Sequence, residues 1–155
     1  MPSIQPAAIS AYFADLVLDH IDLKDVNHNP IAARYSDVIL TNSSLHSKVT
    51  GDLINVKYGN ATIENCEFRG NDREDTDAID YDDVENGIIR NCKIYNFFGL
   101  NNDAIDIGEE AKNILIDSLL VYNVTDKGVS VGQKSTAKIQ NCTFVNCNIG
   151  VALKD

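Results

Sequence analysis

The sequence predicts an all-β solenoid, in which short parallel strands coil around one continuous core. The phrase Ile63-Glu64-Asn65-Cys66-Glu67-Phe68 returns at residues 89–94 and 139–144, and weaker copies begin at residues 18, 40 and 116. An apolar-polar-apolar triplet, such as Ile79-Asp80-Tyr81, lies between the copies. Both phrases alternate with the period of two that is typical of strands, and no long segment keeps a helical period. A repeat this short buries its apolar side only by stacking on copies of itself.

Stacking places similar side chains over one another in three inward columns. The copies of the first phrase begin 22 to 27 residues apart, which corresponds to one coil per repeat. We therefore expect minimal helix content. A leucine-rich repeat is the alternative, but it is less favoured because Asn directly precedes an inward position here and no helical half-repeat is present. The predicted columns are Leu18, Leu40, Ile63, Ile89, Ile116 and Ile139; Leu23, Leu45, Phe68, Ile94, Val121 and Phe144; and Ile54, Ile79, Ile105, Val129 and Val151.

The repeats predict a single domain of about six and a half coils. The first residues lack the basic and apolar regions of a secretory signal, and no apolar run approaches the roughly 20 residues of a membrane span. We expect the ends of the solenoid to expose core, which predicts self-association into a homo-oligomer or continuation into further coils. The predicted divisions are an N-terminal segment 1–8, repeats 9–29, 30–52, 53–77, 78–103, 104–127 and 128–149, and a partial repeat 150–155.

One asparagine column marks a predicted bend. Asn42, Asn65, Asn91 and Asn141 occupy the same position of the repeat. Asn tolerates the left-handed backbone region, and its amide can bond to the same group one coil away. We expect a ladder that satisfies turn backbone, so the asparagines have a structural role.

The cysteines are expected to be reduced and buried. Cys66, Cys92 and Cys142 share an inward column with Leu and Ile alternates, which is typical of a small core side chain. No spacing of metal ligands accompanies them, and Cys147 lies in a predicted turn.

The charge is concentrated in one quarter of the chain. The whole chain has a formal net charge of −10, and residues 72–110 contain 12 acidic and three basic residues. Nucleic acids and anionic membranes require a basic face, so we expect neither as a partner. The acidic segment is instead the predicted location of any function.

Two acidic columns lie on neighbouring coils. Alignment of the triplets places Asp80 beside Asp106 and, just before them, Asp77 beside Asp103. Coils about 4.8 Å apart make these close like-charge pairs. Solvent and salt can screen them, one carboxyl of a pair can keep its proton, or Ca²⁺ can bind through carboxylate oxygens. Asp77, Asp80, Asp103 and Asp106 are therefore the predicted metal ligands, and Ca²⁺ is the predicted cofactor.

These motifs resemble the repeats of right-handed parallel β-helices of the pectate-lyase-like superfamily. The resemblance rests on the Ile-x-Asn-Cys-x-Phe phrase and on Asp-Ala-Ile-Asp at 77–80 and 103–106, and it covers residues 9–153. It implies a single-stranded right-handed parallel β-helix and a link to carbohydrates. The superfamily includes lyases, hydrolases, epimerases and non-catalytic modules. The Gly-His-Gly and Arg-Ile-Lys markers of the polygalacturonase-like hydrolases are missing.

The preferred interpretation is a non-catalytic binding or scaffold module with a polysaccharide or protein partner. The first alternative is a polysaccharide-active lyase or hydrolase, with Asp80 and Asp106 as the catalytic pair. The second is a purely structural repeat. Two long loops flank the acidic columns, and one carries adjacent aromatic residues that could stack on a sugar or cover a neighbouring coil. The predicted substrate-binding residues are Asp82, Asp83, Phe97 and Phe98.

Overall fold

The computed structural model describes residues 6–154, in which every regular element is a β-strand. The polar residues between strands form short turns. The strands are β1 (Ala7–Tyr12), β2 (Leu16–Asp19), β3 (Asp22–Val26), β4 (Asn29–Arg34), β5 (Val38–Thr41), β6 (Ser44–Ser47), β7 (Ile54–Lys57), β8 (Ala61–Glu64), β9 (Glu67–Arg69), β10 (Ile79–Asp82), β11 (Gly87–Arg90), β12 (Lys93–Phe97), β13 (Ile105–Gly108), β14 (Ile114–Asp117), β15 (Leu120–Val131), β16 (Ala137–Gln140) and β17 (Thr143–Leu153).

The strands form three faces of a parallel solenoid of about six coils. The first face follows the order β1-β4-β7-β10-β13, continues on the second half of β15 and ends on the second half of β17. The second face is the six-stranded sheet β2-β5-β8-β11-β14-β16. The third face follows β3-β6-β9-β12, continues on the first half of β15 and ends on the first half of β17. Every described pairing is parallel and no described element is a helix, which confirms the predicted all-β solenoid and excludes the helical half-repeat of a leucine-rich repeat.

All three predicted inward columns are in register. Leu40 pairs with Ile63 on the second face, Leu45 with Phe68 on the third and Ile54 with Ile79 on the first. Column side chains of the middle coils are buried, whereas those of the first and last coils are half-buried or, at Val151, exposed, because no further coil covers them within residues 6–154. The core is therefore one strip of apolar side chains inside the coil.

The asparagine column forms the turn between the second and third faces. Asn42, Asn65, Asn91 and Asn141 all have positive φ, between 51° and 56°. Nδ2 of Asn65 donates to Oδ1 of Asn42 at 3.3 Å, and Nδ2 of Asn141 donates to Oδ1 of Asp117 at 2.8 Å. The predicted bend is confirmed, although aspartate replaces asparagine as an acceptor in the ladder.

Cys66, Cys92 and Cys142 lie where the column predicts, whereas Cys147 lies within β17 and not in the predicted turn; all four are free thiols. Cys66 and Cys92 are buried, while Cys142 and Cys147 are half-buried because they belong to the last coil. Within residues 6–154 there is no helix of the length and apolarity that a membrane crossing requires.

Candidate functional site

Six carboxyl groups of the first face form the carboxyl cluster. Asp80 and Asp82 lie on β10, and Asp106 lies on β13, where it pairs in register with Asp80. The other three members lie in the turns that precede β7, β10 and β13. These side chains point away from the core because their neighbours in the strand point inward. The members are Asp52, Asp77, Asp80, Asp82, Asp103 and Asp106.

The turn aspartates accept hydrogen bonds from the backbone of the next coil. Oδ1 of Asp52 accepts the N–H of Asp77 at 3.4 Å, and Oδ1 of Asp77 accepts the N–H of Asp103 at 2.6 Å. Asp103 in turn accepts the N–H of Lys127 at 2.9 Å. This ladder satisfies turn amides that a strand does not pair, so Asp77 and Asp103 have a structural role besides any ligand role.

Asp80 is held in a polar contact across two coils. Nδ2 of Asn55 donates to Oδ2 of Asp52 at 3.1 Å and also to Oδ2 of Asp80. The amide of Asn55 therefore bridges the carboxyl groups of Asp52 and Asp80. Two carboxyl groups held this close favour a proton on one of them.

The cluster keeps protons at neutral pH. Burial raises the pKa of Asp77 to about 8, and the charges of Asp52 and Asp103 add to the effect. Burial likewise raises the pKa of Asp80 to about 9, again with help from the charge on Asp52 and despite the attraction of Lys57. The fold therefore buries these carboxyl groups and does not leave them fully solvated.

Two lysines lie at the margins of the cluster. Lys57, on β7, forms an ion pair with Asp82, which is only 7% exposed. Lys127 reaches both oxygens of Asp103, at 3.1 and 3.3 Å, yet burial still raises the pKa of that carboxyl. Two cations against six carboxyl groups leave the centre of the cluster without charge compensation.

The last coils of the cluster contain two polar atoms without a partner. Oδ1 of Asp106 and Oγ of Ser130 are both buried, and neither has a hydrogen-bond partner among the described residues. The two residues pair in register on β13 and β15. Ser130 has no exposed surface. Such groups are costly to bury unless a ligand, ion or water satisfies them.

The cluster is not a preformed metal cage. Within residues 6–154 no group of three or more His, Cys, Asp or Glu side chains has the arrangement to hold a metal ion. A cleft of about 640 Å³ gives access to Asp52 and Asp77 from the turn side, beside Gly51 and Asn101. The predicted ligands are thus brought together on one face, but only Asp77 among them lines this cleft, and hydrogen bonds to the protein occupy oxygens of Asp77, Asp80 and Asp103.

Comparison with known proteins settles the family. The sequence model described as the right handed beta helix region matches residues 7–155. The chain belongs to the right-handed β-helix family. Neither a curated protein nor a solved structure matches it at a significant level.

The β-helix divides the predicted substrate-binding residues. Phe97 is fully buried and packs in the core, so it is unavailable to a polysaccharide. Phe98 is 54% exposed in the loop that follows. Asp82 is buried against Lys57. Asp83 is exposed and lines a cleft of about 650 Å³ together with Glu109 and Gln133.

Several residues of the β-helix site were not predicted from the sequence. Lys57 enters the cluster because it pairs in register with Asp82 one coil away. Asn102 is buried and joins the long loop before β13 to the long loop before β10. Its Oδ1 accepts the N–H of Thr76 at 3.0 Å, and its Nδ2 donates to the carbonyl of Arg73 at 2.8 Å. Alignment of the repeats could have found Lys57, whereas the loop contacts depend on the path of the chain.

Proposed function

We propose that this chain is a non-catalytic binding module, and that the carboxyl cluster is its ligand site. The observation that carries the proposal is a buried excess of carboxyl groups next to the unpartnered oxygens of Asp106 and Ser130. A site built only for stability would neutralise or hydrogen-bond these groups. Buried carboxyl groups that the protein leaves without full charge compensation are typical of a ligand site.

Ca²⁺ is the cation that suits this chemistry. It prefers six to eight oxygen ligands in a flexible geometry, which carboxyl and amide side chains supply. Asp106, Asp80 and Asn55 offer such oxygens on consecutive coils, and Asp77 and Asp103 add theirs from the turns. Since Asp77 and Asp80 keep protons, the cation would have to displace those protons. Binding should therefore strengthen as the pH rises.

Calorimetric titration with CaCl₂ at pH 6 and pH 8 tests this proposal. We expect binding about tenfold tighter at pH 8, accompanied by proton release. Asp106→Asn should weaken binding, because it removes a carboxylate at the unpartnered position. Asp83→Asn is the matched control, since Asp83 is acidic and exposed on the neighbouring turn. Absence of heat and of a thermal shift at both pH values would contradict the cation proposal.

The carbohydrate partner rests on the polar clefts beside the same face. The carboxyl groups of Asp77 and Asp83 line these clefts, where they can hydrogen-bond to sugar hydroxyls, and each cleft has room for a sugar unit. A glycan array probed with and without CaCl₂ tests this partner. Binding that the Asp77→Asn variant loses supports the proposal, and an empty array contradicts it.

One observation favours a polysaccharide-active enzyme as the second candidate. Asp80 keeps a proton near neutral pH, and its neighbour Asp106 has an oxygen free of protein contacts. Such a pair can act as general acid and general base on a glycosidic bond. A panel of uronic-acid and neutral polysaccharides, followed for reducing ends and unsaturated products, tests it. Activity lost in Asp80→Asn and Asp106→Asn but kept in Asp72→Asn, an exposed acid outside both clefts, supports catalysis, and silence across the panel contradicts it.

A further inference from the structure

We propose that Cys66 and Cys92 form a redox modification site, in which a disulfide links two consecutive coils. Each cysteine directly precedes a strand of the third face, and the first residues of those strands, Glu67 and Lys93, pair in register. Adjacent strands lie about 4.8 Å apart, and the Cα atoms of disulfides lie about 4.4–6.8 Å apart. The stacked coils therefore bring the two cysteines within the range of a disulfide.

The two thiols occupy equivalent positions on consecutive coils. Cys66 and Cys92 are each 3% exposed, and their thiols donate to the backbone carbonyls of Glu64 and Arg90 at 3.2 and 3.1 Å. The interaction between the neighbouring thiols lowers the pKa of Cys66 and raises the pKa of Cys92. Cys66 is thus the thiol that ionises first, with Cys92 in position to resolve an oxidised form of it.

The geometry excludes the other cysteines. Leu119 occupies the same position in the coil between Cys92 and Cys142, and it is buried. Cys142 therefore lies two coils from Cys92, a separation of about 9.6 Å that exceeds the reach of a disulfide. Cys147 lies near the middle of β17, where it pairs with Val124 rather than with a cysteine.

A hydroperoxide is the class of oxidant that fits this buried site, because it is small. Cys66 attacks the terminal peroxide oxygen, the O–O bond breaks, and Cys66 becomes a sulfenic acid while one water leaves. The sulfur of Cys92 then attacks the sulfur of Cys66, the S–O bond breaks, and the hydroxyl leaves as a second water with the thiol proton of Cys92. Overall the two thiols lose two electrons and two protons, and H₂O₂ is reduced to two waters.

The test treats the full chain with H₂O₂ and counts free thiols under denaturing conditions. We expect a loss of two thiols per chain, a mass lower by two hydrogens, and a Cys66–Cys92 linkage by peptide mapping. Dithiothreitol should restore all four thiols. The melting temperature of the oxidised protein should rise by about 5 °C, because the disulfide reduces the conformational entropy of the unfolded chain.

Three variants keep the proposal open to contradiction. Cys66→Ala and Cys92→Ala should each abolish the linkage and the shift in melting temperature, whereas Cys142→Ser should leave both unchanged. If either alanine variant fails to fold, the peptide map of the wild-type chain still decides. Oxygen additions alone, a Cys142–Cys147 linkage, or an unchanged thiol count would each overturn the proposal.

Discussion

Single residues at the asparagine turn determine whether the second face can bend into the third. Asn65 has a φ of 56°, a region that costs an L-residue with a Cβ about 1–2 kcal/mol. Its side chain also donates to Asn42 one coil away. The same position is occupied by His20 and Ser118 in other coils, at φ values of 55° and 57°. The left-handed turn is thus a property of the coil, and Asn is the residue that suits it best.

Substitution of Asn65 measures this conformational contribution. Asn65→Ala should destabilise the fold by about 1–2 kcal/mol, because alanine disfavours the left-handed region and cannot donate. Asn65→Gly should cost about 0.5–1 kcal/mol, since glycine adopts positive φ freely and loses only the side-chain bond. Urea unfolding gives both values. Equal losses in the two variants would show that φ has no part in the effect.

The carboxyl cluster makes stability depend on pH in an unusual direction. Asp77 and Asp80 bind protons more tightly in the folded state, with pKa values of about 8 and 9 against the ordinary value of 3.8 for an aspartate. Their contribution to stability is therefore fully present below about pH 4 and is lost as the pH rises toward 9. We expect the melting temperature to fall between pH 5 and pH 9.

Asp80→Asn isolates this effect. The variant should be more stable than wild type at pH 8 by a few degrees in melting temperature, because asparagine is neutral without having to take up a proton on folding. The pH dependence should flatten as well. Asp83→Asn is the control and should follow wild type. A wild-type melting temperature that rises steadily from pH 5 to pH 9 would be incompatible with proton-holding carboxyl groups.

At the scale of elements, one loop shows how the solenoid separates core from surface. Phe97 ends β12 and is fully buried, while Phe98 is the next residue and is 54% exposed. Phe97 also fills the space beside Gly70, where an added Cβ would lie 2.4 Å from the ring. The close approach requires glycine at that position, so the loop and the core depend on each other.

The adjacent phenylalanines provide a matched pair of variants. Phe97→Ala should destabilise the fold by about 3–5 kcal/mol, because it leaves a cavity in a core that cannot collapse. Phe98→Ala should change the free energy of unfolding by less than about 0.5 kcal/mol. Chemical denaturation compares the two. Similar values for both variants would be at odds with the burial of Phe97.

The elements also show which features the sequence could predict. The inward columns were predictable because stacking depends only on the repeat and on the alternation of side chains, and Leu40 over Ile63 is an example. The burial of Asp103, which is 4% exposed, was not, because it depends on how the turns pack over the first face. The hydrogen bonds from the turn aspartates to the backbone of the next coil were not predictable either. An aspartate at such a position fits both a charged surface and a hydrogen-bonded turn.

At the scale of the whole molecule, the last coil has the most exposed apolar surface. β17 pairs only with β15 among the described strands, and Leu153 and Val145 are 81% and 52% exposed. A strand that has one unpaired edge and exposed apolar side chains is a surface for association. We propose that a second copy of the chain covers it.

Sedimentation at micromolar concentration tests this association. The wild-type chain should form a dimer or larger species, and the double variant Val151→Lys with Leu153→Lys should be a monomer. Val17→Lys is the control, because Val17 is 69% exposed on the second face, away from the last coil. A monomeric wild type, or equal association of all three proteins, would refute the proposal.

The central claim is that the first face holds a buried cluster of carboxyl groups that keep protons at neutral pH. The most direct measurement is a ¹³C NMR titration of the aspartate side-chain carboxyl groups, with Asp80→Asn and Asp77→Asn variants to assign the signals. The account predicts that Asp77 and Asp80 titrate near pH 8 and 9. Titration of both carboxyl groups below pH 5 would contradict it.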